Sequence, residues 1–180
     1  MLPLSYYAQD AETVARDLLG KHLLFVLEGV TKRSRVVETE AYVGEHDLAC
    51  HAAKGRTKRT EVMFGPPGHA YIYLIYGMYD LLNVVTGADG DAEAVLIRAA
   101  EPLNNIEGRT DGPGRLTRTL GLTRSLHGAP LCGPDLWLED APPPTELGVS
   151  PRVGIDYAGA WKDAPLRFFD KTSRHVSKPR

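Results

Sequence analysis

The chain lacks most of what would mark it as secreted, membrane-spanning or held to its partner by bulk charge. Only two cysteines, Cys50 and Cys132, stand in 180 residues. They lie far apart and form no C-x-x-C element, so two free thiols in a reducing compartment are expected. The net charge is −2, so no overall field points to nucleic acid or membrane, and an anionic ligand requires a local basic patch. The first residues, Met1-Leu2-Pro3-Leu4-Ser5, contain no basic region followed by an apolar run, so no signal peptide is expected. One charge-free stretch, 62–79, approaches spanning length, but Gly65, Pro66, Pro67, Gly68 and His69 break it, so no membrane helix is expected. What is present is 43% hydrophobic and 24% charged, ordinary for one globular core, and residues 1–180 read as a single cytoplasmic domain.

Along the chain, Ala11, Val14, Ala15, Leu18 and Leu19 recur at helical spacing, with Asp10 as N-cap and Gly20 as a left-handed stop. Strands are predicted over His22–Leu27 and Arg35–Val43, with a turn at Glu28-Gly29. Strict alternation in the second strand places Val36, Glu38, Glu40 and Tyr42 on one face and Val37, Thr39, Ala41 and Val43 on the other. The polar segment 44–68 carries Lys54, Arg56, Lys58 and Arg59 and is long enough to be a functional loop. His69–Tyr76 and Tyr79–Thr86 form a predicted hairpin with Tyr76 at its bend, and Ala94–Ala99 a further strand. Gly112-Pro113-Gly114 opens a short helix. The stretch 125–150 reads as an irregular excursion around one strand, 135–139, and the C-terminus, from Arg152 to Arg180, is basic again.

Several constellations carry possible chemistry. Glu38 and Glu40, about 7 Å apart on one strand face at a rise of roughly 3.3 Å per residue, could supply a general base, or could simply be a solvated face. Four tyrosines, Tyr71, Tyr73, Tyr76 and Tyr79, fall within nine residues, with Tyr42 beside Glu40. Buried phenols need partners, so an aromatic pocket for a planar ligand competes with plain packing. His46, Asp47, Cys50 and His51 are ligand-type side chains, but no second cluster completes a zinc site and no metal is expected. The glycine turn at 112–114 and the basic loop could each meet a phosphate.

Longer motifs make the sequence recognisable. Val37-Glu38-Thr39-Glu40-Ala41-Tyr42, His51, Arg56, Met63-Phe64 and Gly68 resemble the alkyladenine DNA glycosylase family. Tyr71 to Tyr79, Asn83, Leu96-Ile97-Arg98, Glu101-Pro102-Leu103, Gly112-Pro113-Gly114-Arg115-Leu116, Arg152-Val153-Gly154 and Pro165 to Phe169 continue the resemblance in colinear order. It implies an α+β fold: a single compact domain with a curved antiparallel sheet, partly open and barrel-like, flanked by short helices and projecting a β-hairpin. It implies a monomeric enzyme that needs no cofactor. Its substrate would be double-stranded DNA containing a damaged purine, which must leave the stack to be reached.

By the same resemblance, Glu40 is the general base and Arg98 its partner, together holding the water that attacks C1′. Tyr42, His51 and Tyr73 form the base pocket, and Asn83 occupies the space of guanine's exocyclic amino group. Tyr76 wedges the duplex, Met78 props the opposite strand, and Arg56, Arg59, Gly112 and Gly114 contact the DNA backbone. Glu38 does not fall on the family's catalytic position and is expected to be structural. Cys50, Ala53 and Lys58 depart from the family pattern without touching the catalytic positions. A protein of this kind would be cytoplasmic, and nucleoid-associated if bacterial. The competing reading is a non-catalytic nucleic-acid-binding module with the same pocket.

Overall fold

The computed structural model describes residues 1–178; Arg180, counted with the basic C-terminus, lies outside the described residues. The strands are β1 (His22–Leu27), β2 (Val30–Tyr42), β3 (Ala70–Ile75), β4 (Tyr79–Thr86), β5 (Glu93–Asn104), β6 (Leu136–Glu139), β7 (Leu147–Ser150) and β8 (Arg167–Asp170). They form one antiparallel eight-stranded sheet in the order β3-β4-β5-β2-β1-β6. The long strand β2 forks this sheet. Its first half pairs with β1 and its second half with β8, which in turn pairs with β7. The sheet therefore curls into a half-barrel, and the fold is α+β. Among the described residues no helix is long and apolar enough to cross a membrane.

Helix α1 (Ala11–Asp17) starts where expected because the Asp10 carboxylate accepts from the Thr13 N–H at 2.9 Å and the Thr13 hydroxyl at 2.7 Å. The chain turns away at Gly20, whose φ is +89°; a Cβ there would lie 2.2 Å from the Pro142 carbonyl oxygen. Val14, Ala15 and Leu18 are fully buried, each larger side chain contributing about 1.5–3 kcal/mol of apolar burial. They meet Leu82 and Val84 of β4, Val95 and Ile97 of β5, and Leu116 and Leu120 of α2 (Pro113–Leu120) in the main core.

Period-2 alternation assigns the opposite sheet face to a different task. On β3, Ala70 and Ile72 enter the main core while Tyr71 and Tyr73 point the other way; on β4, Leu82 and Val84 do so while Asn83 does not. The expectation for β2 needs correction here. Register shifts between Val36 and Thr39 mark facing irregularities, with Val37 unpaired on β2 and Arg98 unpaired on β5. An extra residue reverses the alternation. Val36 thus joins the main core with Ala41, whereas Val37 packs with Ala99 elsewhere. Glu38, Glu40 and Tyr42 still share a face.

Other differences concern length and the late strands. β2 begins five residues before the predicted start, and β5 runs to Asn104 rather than Ala99. Strands β7 and β8 were not foreseen: four residues each, β8 is extended against the free edge of β2, and β7 against β8.

Candidate active site

The polar-facing side of the half-barrel opens into a cavity of about 590 Å³. Tyr42 from β2, Tyr71 and Tyr73 from β3, Asn83 from β4 and Arg98 from β5 line it, and His51 closes one side from the 44–68 segment. The short 3₁₀ turn His51–Lys54 positions that histidine. The His51 and Tyr73 rings meet edge to face at 4.5 Å between centroids, and His51 Nδ1 shares a hydrogen bond with the Tyr71 hydroxyl at 2.8 Å. Three stacked or edge-on rings make a slot suited to a flat ligand.

Glu40 is fully buried and lies behind this wall rather than in it. Its Oε1 accepts from the Val153 N–H at 2.7 Å and faces Arg98 Nη1 at 3.2 Å, while Oε2 accepts from the Tyr42 hydroxyl at 2.9 Å. All three partners line the cavity. A carboxylate can accept about four hydrogen bonds, so these contacts leave capacity for a water proton. Burial and the neighbouring Glu40 charge push the Tyr42 phenol well above its ordinary value, which keeps it a donor. Arg98 is shifted upward as well: burial works against its charge, but Glu40 and Glu38 outweigh that and hold it protonated.

The Val153 amide is placed by a buried ion pair. Arg152 forms a fork with Asp47 at 2.5 and 2.8 Å, both side chains fully buried, and donates to the Ala41 carbonyl at 2.8 Å. Its guanidinium also covers the Tyr42 ring at 4.7 Å. Asp47 is therefore committed to Arg152, and the Cys50 thiol is pushed up to about 11 by burial. Among the described residues no group of three or more metal-type side chains could hold an ion.

Burial, with Arg59 and Lys54 nearby, pushes the His51 imidazole down to about 4. It is then neutral between about pH 5 and 8. The unfolded chain binds the proton first, near pH 6.5, so His51 stabilises the fold above that value and the contribution is lost as pH falls toward 4. An NMR titration should show no His51 inflection above about pH 5; an ordinary titration near 6.5 would contradict this environment.

At the tip of the β3–β4 hairpin, Tyr76 and Gly77 have φ of +53° and +68°, as a type I′ turn requires. A left-handed non-glycine residue costs about 1–2 kcal/mol, yet Tyr76 is 85% exposed and Met78 66% exposed. Simple period-2 alternation from Tyr71 and Tyr73 would put Tyr76 on the other face of the strand. The positive φ overrides it, and Tyr76 borders the same cavity.

Of the anticipated backbone-contacting residues, Arg59, Gly112 and Gly114 border the cavity, with the Arg59 guanidinium 5.1 Å from the Tyr73 ring centre. Gly114 must be small, because a Cβ would stand 2.8 Å from the Tyr79 ring. Arg56 is not drawn in; it pairs with Glu61 at 3.3 Å and covers Phe64. Sequence reasoning counted Tyr71 among the pocket tyrosines and weighed Asp47 only as a metal ligand; it pointed to no role for Val153, Arg167, Ser177 or the exposed Tyr157. Val153 and Arg167 lay within the motifs Arg152-Val153-Gly154 and Pro165 to Phe169, but a backbone donor such as the Val153 amide leaves no side-chain signature.

The motifs that resemble the DNA glycosylases thus converge on one cavity of the curled sheet, and the class that the sequence match supports is that of a DNA glycosylase. The match is direct: residues 5–174 fit the family described as "Methylpurine-DNA glycosylase (MPG)", and the chain belongs to that family. A relative from Myxococcus xanthus is 58% identical over 98% of this chain and 93% of its own. One from Anaeromyxobacter dehalogenans is 52% identical over 99% of this chain and 86% of its own. One from Legionella pneumophila (strain Lens) is 48% identical, covering 98% of both. All three carry the name "Putative 3-methyladenine DNA glycosylase".

Proposed function

We propose that the chain is a monomeric DNA repair glycosylase, residues 1–180 acting as one domain. It rotates an alkylated or deaminated purine out of duplex DNA and hydrolyses its N-glycosidic bond. The observation that carries this reading is Glu40, held beneath the cavity by Val153, Arg98 and Tyr42. Glu40 accepts a proton from water as the water oxygen bonds to C1′. The C1′–N bond breaks, its electron pair leaves with the base, and an abasic site remains. Carboxylates also stabilise the sugar's oxocarbenium-like charge in such reactions. No cofactor and no strand-cleaving step are required.

Tyr42, Tyr73 and His51 receive the extruded base, stacking being worth about 1–3 kcal/mol per base. A cationic purine such as 3-methyladenine or 7-methylguanine gains about 0.5–2 kcal/mol more from the ring faces; hypoxanthine and ethenoadenine would be held by stacking alone. Asn83 is buried and anchored by its Nδ2 to the Tyr71 carbonyl at 3.0 Å, so it cannot easily swing away from guanine's amino group. Arg59, Gly112, Gly114 and Arg56 meet the DNA backbone, and Met78 supports the opposite strand.

Duplexes each bearing one modified purine test the reading: chromatography should detect a freed base from at least one and no strand break. Release from none would overturn it. Tyr76→Ala tests the wedge separately. Losing a side chain that fills the vacated stack should raise the cost of extrusion by a few kcal/mol, lowering excision from paired lesions while the melting temperature holds. Unchanged excision would remove Tyr76 from that role.

A further inference from the structure

Glu38, the carboxylate left without a catalytic role, is the convergence point of a buried network. Its Oε1 accepts from Arg98 Nε at 2.8 Å, Arg167 Nε at 2.7 Å and the Ser177 hydroxyl at 2.8 Å, and its Oε2 from the Ser177 N–H at 2.7 Å. Ser177 also accepts from Arg98 Nη2 at 3.3 Å through its hydroxyl, and from Arg167 Nη2 at 3.3 Å through its carbonyl. One C-terminal residue thus touches all three charged groups. Val176 holds the segment in place, packed against Val37 and Ala99.

The consequence is orientation. A guanidinium is a planar fork with five donors. When Glu38 and Ser177 take Nε and Nη2 of Arg98, the fork cannot rotate, and Nη1 is left facing Glu40. Glu40 pairs with Leu96 and Thr39 with Ile97, so the next residues on the two strands, Glu38 and Arg98, fall on one side of the sheet. Burial opposes ionisation of Glu38, yet Arg98 and Arg167 outweigh it and hold the carboxyl below its usual range.

We propose that Glu38 and Ser177 are positioning residues, and that the C-terminal segment completes the active site by clasping Arg98 against Glu38. This rests on the roles given above to Glu40 and Arg98. Each residue acts through Arg98, so its effect should vanish when Arg98 is absent, which an effect on general stability would not do.

Single-turnover excision with protein in excess provides the test, on a lesion duplex that the wild-type protein processes. Ser177→Ala keeps the backbone N–H and removes only the hydroxyl. It should lower the rate constant about tenfold, and Glu38→Gln about a hundredfold, with duplex affinity within about threefold of wild type. In an Arg98→Ala background, Ser177→Ala should add less than about twofold. Full activity of Ser177→Ala, or an equal loss in both backgrounds, overturns the clasp alone. An inert wild-type protein, or an Arg98→Ala protein as fast as wild type, overturns the underlying reading and the clasp with it.

Discussion

Glu40→Gln should reduce base release by about 10²–10⁴-fold, the span that a positioned general base contributes, while lesion-bearing duplex still binds. The replacement is isosteric. An amide oxygen can keep the Val153 N–H, and the Tyr42 hydroxyl can turn to accept from the new amide group. What disappears is the charge that takes a proton from water and faces the developing positive charge on the sugar. The cavity walls formed by Tyr73, His51 and Asn83 stay as they are, so the affinity for a lesion duplex should remain within a few fold. Single-turnover excision paired with equilibrium binding separates the two effects. A Glu40→Gln protein that releases base at the wild-type rate would remove Glu40 from the mechanism. The same experiment separates catalysis from the non-catalytic module, whose wild type would bind and release nothing.

Asp47→Ala should cost about 3–5 kcal/mol of stability, the usual loss when one partner of a buried ion pair is removed. Both Asp47 oxygens face Arg152, and the carboxylate also accepts from the Ala49 N–H at 3.0 Å and the Val43 N–H at 3.3 Å. Truncation leaves the Arg152 guanidinium buried over the Tyr42 ring and donating to the Ala41 carbonyl, without the carboxylate fork that balances its charge. The damage should reach the chemistry too, because Arg152 carries the adjacent Val153 amide that binds Glu40. Urea denaturation gives the stability change, and excision measured well below the unfolding midpoint gives the catalytic one. A loss below about 1 kcal/mol would mean that water reaches Arg152 and that the pair is not structurally dominant.

The hairpin was legible because its signals are local. Alternating aromatic and β-branched residues, then Tyr76-Gly77, specify two strands and a turn within 17 residues of chain, 70–86. Helix α1 was legible for the same reason: its apolar spacing and its Asp10 cap are neighbours in sequence. Strands β7 and β8 were not, since Leu147–Ser150 and Arg167–Asp170 become strands only by pairing with each other and with β2. The face of Val36 was misplaced because the extra residue at Val37 has no composition of its own; it exists in the pairing with β5.

Within the site, motif order pointed to Glu40, Tyr42, His51, Tyr73, Asn83 and Arg98; all but His51, which sits on a 3₁₀ turn, lie on β2, β3, β4 and β5 with their side chains away from the main core. Side-chain type and spacing along a strand are properties of the chain itself, and they were enough to identify the family and, outside the irregularity at Val37, the two faces of the strands. Which groups meet across 60 to 139 residues was decided by folding. Glu38 on Arg98 and Ser177, Glu40 on the Val153 amide, and Asp47 on Arg152 are contacts between distant segments. They form because buried charge must find a partner once water is gone, and no local pattern announces which partner that is.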